Sequence, residues 1–184
     1  SGAWLGKVAQ LRSVLALAAG AVVVGDAGAG KSCLVAACLD APGRLDGVRG
    51  VLRVVDPKAL VAANYKELLF GRLDGTTLEW TDGLLTAFVR QVLANERGEA
   101  RKRHWLCLDG DVDPEWAENL NSVLDDNRVL TLPTGERLRV PANVRFVFEV
   151  EDLARATPAT VSRCGVLHVD GSVASTGDRV AACL

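Results

Sequence analysis

Eight consecutive residues, Gly25-Asp26-Ala27-Gly28-Ala29-Gly30-Lys31-Ser32, match the pattern G-x-x-x-x-G-K-[ST] at every fixed position. Glycines at those places let main-chain N–H groups turn inward around a phosphate chain, where a Cβ would obstruct the approach. The amides and partial positive charge at the start of a following helix add to that attraction. Lys31 has the reach for β- and γ-phosphates, and the Ser32 hydroxyl is of the type that ligates Mg²⁺. Asp26 is an unusual occupant, because a carboxylate beside phosphates repels them; it is expected to point to solvent. A chance glycine-rich turn is disfavoured by the β-branched run before the motif and the helical pattern after it.

Such a loop needs a second strand that ends on an acid able to hold Mg²⁺ through water. His104-Trp105-Leu106-Cys107-Leu108-Asp109, further down the chain, is apolar up to its final carboxylate. In sites that hydrolyse nucleotide, a Glu follows this Asp and orients the attacking water; here Gly110 follows. Asp111 and Asp113 are substitutes in principle, but Asp111 is displaced along the chain and has a shorter side chain. Their plainer role, with Glu115, is as acids favourable to a helix N-terminus. The preferred reading is a site that binds ATP tightly and turns it over slowly or not at all. Arg163, within Thr160-Val161-Ser162-Arg163-Cys164-Gly165, is a second candidate. A guanidinium is always charged and forks onto phosphate oxygens, and one projected into a neighbouring site contributes roughly 10³–10⁵ in rate. Taken alone, an Arg beside a Ser is uninformative, and an ordinary structural salt bridge is the favoured reading.

These residues need elements to position them. The 184 residues carry 21 Lys+Arg against 23 Asp+Glu, with 49% apolar and 24% charged residues, the proportions of one folded domain with a sizeable core. Near-neutral charge argues against a dedicated nucleic-acid or membrane-surface binder. The longest apolar stretch, Ser13 to Val24, is too short to span a bilayer. Met is absent and the chain begins Ser1-Gly2, as expected of a fragment excised from a larger polypeptide. Cys33, Cys38, Cys107, Cys164 and Cys183 form no CxxC pair or zinc spacing and are expected to be reduced, structural thiols.

Apolar spacing predicts helices over 4–19, 31–39, 59–69, 83–94 and 114–124, and strands over 21–24, 51–55, 105–108, 144–150 and 165–169. Two turn-rich segments, 71–82 and 128–140 around Pro133-Thr134-Gly135, predict β-hairpins. The charged run Arg97 to His104 reads as a solvated turn. Strands alternating with helices make a parallel sheet covered on both faces, which binds ligands at its carboxyl ends.

The run LDGDVDPEWAENLNSVLDDNRVLTLPTGERL (108–138), with DPKAL (56–60), EWTDGLLT (79–86) and PATVSRCG (158–165), resembles dynein heavy chains, and within them the second of the six AAA+ modules of the motor ring. The likeness runs from about Ala21 to Val169, and DGDVDPEW is closer to the cytoplasmic than to the axonemal type. It implies the large α/β subdomain of a P-loop AAA+ module, a three-layer sandwich with a five-stranded parallel sheet, helices on both faces and two hairpin insertions. Residues 1–170 form that subdomain, and 171–184 are a tail leading toward a helical lid. The implied cofactors are ATP (or ADP) and Mg²⁺, held by Gly25, Asp26, Ala27, Gly28, Ala29, Gly30, Lys31, Ser32 and Cys33, with Ser32 and Asp109 at the metal. Arg163 matches the arginine finger that completes the preceding module's site. Glu149 stands where many AAA+ proteins carry a polar sensor such as Asn, and a carboxylate does not donate to a γ-phosphate.

The resemblance further implies neighbouring AAA+ modules of one chain as partners, a linker domain met by the hairpins, and microtubules reached only through a distant stalk. No nucleic acid or membrane enters this picture. The location is cytoplasmic and cytoskeletal, with a cilium or flagellum as a variant. The alternative is a self-sufficient ATPase of another AAA+ remodelling ring.

Overall fold

The structure, a computed structural model, describes residues 2–57, 64–94 and 96–171. The expected start of a helix at Ala59, Cys183 and most of the expected tail lie outside the described residues. In chain order the elements are α1 (Gly2–Leu17), β1 (Gly20–Val24), α2 (Lys31–Asp46), β2 (Gly50–Val55), α3 (Tyr65–Phe70), β3 (Gly71–Leu73), β4 (Trp80–Asp82), α4 (Leu84–Ala94) and α5 (Glu96–Glu99). Then come β5 (Arg103–Asp109), α6 (Pro114–Ala117), a 3₁₀ turn (Glu118–Leu120), α7 (Asn121–Leu124), β6 (Val129–Thr131), β7 (Arg137–Arg139), β8 (Val144–Val150), α8 (Pro158–Arg163) and β9 (Cys164–His168).

Five strands form one parallel sheet in the order β2-β5-β8-β1-β9. Every residue of β1 is buried, which is why its sequence is a continuous apolar run rather than an alternating one. Val22 and Val24 face a cluster built on Phe88, Trp116, Phe146 and Phe148, while Ala21 and Val23 face a second cluster under α1 and α2. Chain order reverses across β1, with β8 on one side and β9 on the other, and this opens a crevice at the carboxyl ends of the central strands. Among the described residues no helix is long and apolar enough to cross a membrane.

Both hairpins form, as β3–β4 and β6–β7. Gly71 sits at φ +121, and a Cβ there would lie 2.3 Å from the Trp80 ring, so the first hairpin closes only on glycine. Arg90 on α4 joins the two insertions: it pairs with Asp82 at 3.0 Å and forks onto Glu136 at 2.9 and 2.6 Å.

Several boundaries differ from the sequence pattern for identifiable reasons. Helix α2 runs past Leu39 through a buried Pro42 and stops where Gly47, at φ +71, donates to the Gly43 carbonyl. Asn64 is extended at φ −165, and α3 follows it from Tyr65 to Phe70. The expected helix 114–124 is helical throughout but tightens to a 3₁₀ turn at Glu118–Leu120, and Trp116, Leu120, Val123 and Leu124 keep helical spacing toward the core. On α1, Trp4, Leu11 and Leu15 are buried, whereas Leu5 and Leu17 are 67% and 92% exposed. The charged run 97–104 is not all solvated: His104 is buried, with Nε2 3.0 Å from the Glu99 carboxylate, and Asn143 Nδ2 donates to the Glu99 and Lys102 carbonyls.

Candidate functional site

Strand β1 delivers Gly25 to the crevice, where its N–H donates to the Val150 carbonyl at 3.1 Å. A Cβ on Gly25 would stand 2.2 Å from the Val169 carbonyl oxygen, so only glycine lets the loop leave the sheet between β8 and the end of β9. Gly28 and Gly30 adopt φ +76 and +95, left-handed values that turn the chain back into α2. The first turn of α2 carries no acidic residue of its own and no side-chain cap.

Beneath this loop lies a cavity of about 640 Å³, within the usual range for a bound small molecule. Ala27, Gly28, Gly30, Lys31, Ser32 and Cys33 line it from the loop side. Gly25, Asp26 and Ala29 do not line it, and the Asp26 side chain is exposed. Lys31 Nζ donates to the carbonyls of Gly25 at 2.7 Å and Asp26 at 3.0 Å, which ties the loop into a ring.

From the strand side come Asp109 and Glu149, paired directly across the β5–β8 ladder. Ser32 Oγ donates to Glu149 Oε2 at 2.6 Å, and Cys107 Sγ donates to Oε1 at 3.1 Å. Burial pushes the Glu149 carboxyl above the usual range, opposed by the hydrogen bonds from Ser32 and Cys107; Asp109 adds to the rise and Lys31 counters it. Burial likewise raises the thiols, Cys38 to about 11, Cys164 to about 12 and Cys107 further still, so all three stay protonated near neutrality.

Five acids line the cavity (Asp56, Asp109, Asp111, Glu149 and Glu151), and Lys31 is the one cationic side chain among the lining residues. A polyanion alone would be repelled; one carrying a divalent cation would not. No group of three or more His, Cys, Asp and Glu among the described residues is arranged to hold a metal ion by itself. Mg²⁺ in nucleotide sites is held by one or two protein oxygens and otherwise by phosphates and water. Ser32 and Asp109 fit that part.

Gly110 has φ +152, and its N–H donates to the Glu149 carbonyl at 3.0 Å, so the position after Asp109 lacks a side chain and has a backbone suited to lacking one. Asp111 lines the cavity, with its carboxylate 3.8 Å from Arg155. Asp113 does not line it.

Arg163 lies away from this cavity. It ends α8, whose start is capped by the Thr157 hydroxyl accepting from Thr160 N–H at 3.3 Å. Its Nε donates to Asp125 Oδ1 at 2.5 Å and one terminal nitrogen to the Ala159 carbonyl at 2.8 Å. It borders a separate polar cleft shared with Asp125, Asp126 and Arg128. The Asp125 partner, the Ser32–Glu149 contact and the acids Asp56 and Glu151 escaped the sequence pattern. A carboxylate directly after the apolar run Phe146-Val147-Phe148 was the available signal for Glu149.

Residues 20–164 match the AAA domain (dynein-related subfamily). The chain is 56% identical over 164 residues to a cytoplasmic dynein heavy chain of Fusarium vanettenii, covering 89% of this chain and 4% of that one. It is 55% identical over 174 residues to the cytoplasmic dynein heavy chain of Drosophila melanogaster and 50% over 173 to that of Dictyostelium discoideum, covering 95% and 94% of this chain. In each case the chain spans about 4% of the relative's length.

Proposed function

The chain belongs to the dynein-related AAA domains, and from that premise we propose that it is a nucleotide-holding module of a dynein-type heavy chain, the second in the motor ring. It binds ATP (or ADP) with Mg²⁺ and turns it over slowly or not at all. Gly25 to Cys33 wrap the phosphates with main-chain amides, Lys31 leaves the loop carbonyls for the β- and γ-oxygens, and Ser32 and Asp109 hold Mg²⁺. The cation supplies the charge that lets a triphosphate enter a cavity walled by carboxylates. The observation that carries the reading is Gly110: a residue without a side chain, at φ +152, stands where a water-orienting acid is needed.

Arg163 serves a neighbouring module in trans, a role supported by its position outside its own chain's cavity. Asp125 holds the guanidinium in place until a phosphate competes for it. The whole heavy chain is a cytoplasmic, microtubule-based motor, with the hairpins β3–β4 and β6–β7 facing its linker. A ligand bound far above its dissociation constant stiffens the module by a few kcal/mol, at roughly 2.7 kcal/mol for a hundred-fold excess.

Calorimetric ATP binding with Mg²⁺ and single-turnover hydrolysis test the first part. Wild type should bind and release little phosphate, and Lys31→Ala should bind at least about 100-fold more weakly. Rapid phosphate release by the chain alone would favour the self-sufficient ATPase. In the full ring, Arg163→Ala should slow microtubule-stimulated turnover while nucleotide occupancy here stays constant; unaltered turnover removes the finger.

A further inference from the structure

Ser32 and Glu149 are joined by a contact that the loop motif does not require. A serine hydroxyl has one proton and two lone pairs, so a serine that ligates a cation must send its proton elsewhere. Here the proton goes to Glu149 Oε2 at 2.6 Å, across from α2 to the central strand β8. The receiving carboxylate is only 3% exposed. Its other oxygen accepts from Cys107 Sγ at 3.1 Å, so both oxygens are engaged and the group cannot rotate away. Asp109, at the same height on β5, is exposed and faces the cavity. The cavity that holds this hydroxyl is thus lined by two carboxylates from adjacent strands, one buried and bonded to it, the other exposed.

Resting on the reading of this cavity as an ATP–Mg²⁺ site, we propose that Glu149 is a positioning residue for the cation. By taking the Ser32 proton it turns the Oγ lone pairs into the cavity, and its charge adds to that of Asp109 on the cation's water shell. Asp109 is thereby left to contact that shell rather than the serine. Nucleotide binding is then coupled to Mg²⁺ through two acids. One of them, on β8, lies outside both sequence segments that define the site.

The test is calorimetric titration of the 184-residue chain with ATP, once with Mg²⁺ and once with EDTA. In Glu149→Gln, which keeps shape and loses charge, the affinity gained from Mg²⁺ should shrink about ten-fold, the scale of one charge-assisted hydrogen bond. Affinity in EDTA should stay level or improve, because one repelling charge is gone. A role in folding alone would weaken both arms alike. A Mg²⁺ gain equal to wild type, or equal losses in both arms, overturns the proposal. Asp109→Asn, at an exposed and structurally tolerant position, provides the second measurement. Part of its Mg²⁺ gain should remain, held by Glu149, and complete loss of the gain overturns the proposal. Absence of ATP binding by wild type in both arms instead overturns the nucleotide reading beneath it.

Discussion

Placing an acid at position 110 is the obvious way to ask whether the slow turnover proposed above reflects one absent side chain. A well-placed general base contributes roughly 10²–10⁴ in rate, so Gly110→Glu would accelerate hydrolysis at least 100-fold if the backbone could accept it. The geometry argues that it cannot. Gly110 lies at φ +152, where a residue with a Cβ costs about 1–3 kcal/mol. Its N–H is also pinned to the Glu149 carbonyl at 3.0 Å, which blocks relaxation into an ordinary extended conformation. The new carboxylate would join Asp109, Asp111 and Glu149 around one cavity. The expected result is a stability loss of about 1–3 kcal/mol by urea titration and less than about a ten-fold change in single-turnover hydrolysis. Gly110→Ala separates backbone from charge and should lose nearly the same stability. A 100-fold faster Gly110→Glu, or a neutral Gly110→Ala, would refute the reasoning.

Two further outcomes follow from packing and titration. A Cβ on Gly165 would lie 2.1 Å from Val14 Cγ1, so Gly165→Ala should destabilise by about 1–3 kcal/mol through overpacking of α1 on β9. Adding Val14→Ala should recover at least about 1 kcal/mol of that, measured as a coupling in a double-mutant cycle. Burial holds the His104 imidazole below its ordinary range, with Lys102 and Arg53 adding to the effect and Glu99 opposing it. The unfolded chain therefore takes up this proton first, and the contribution of neutral His104, complete above the unfolded value of about 6.5, is lost over the acidic window below it. The pH dependence of urea midpoints over that window should flatten in His104→Leu; an unchanged slope would show that other groups cause it.

The residues of the loop, the strand ending in Asp109 and the alternation of strands with helices were legible because each is a local pattern. Glycines that must take positive φ, a lysine and a hydroxyl at fixed offsets, and a wholly apolar β1 all follow from neighbours in the chain. Helix ends were less legible. A buried Pro42 remains inside α2, where packing against the sheet outweighs local propensity, and the stretch after Pro114 tightens to a 3₁₀ turn at Glu118–Leu120 that apolar spacing does not mark.

By itself the sequence determined a parallel α/β sheet, a glycine-rich loop of the phosphate-binding pattern after its first strand, an apolar strand ending in an acid, and the glycine that follows that acid. Tertiary structure alone decided that Ser32 donates a hydrogen bond to Glu149, 117 residues away, and that Arg163 rests on Asp125 outside the cavity. The reason is physical. Strand order places β8 between β5 and β1, so a carboxylate from a distant segment arrives beside the loop, and no periodicity along the chain encodes which strands become neighbours.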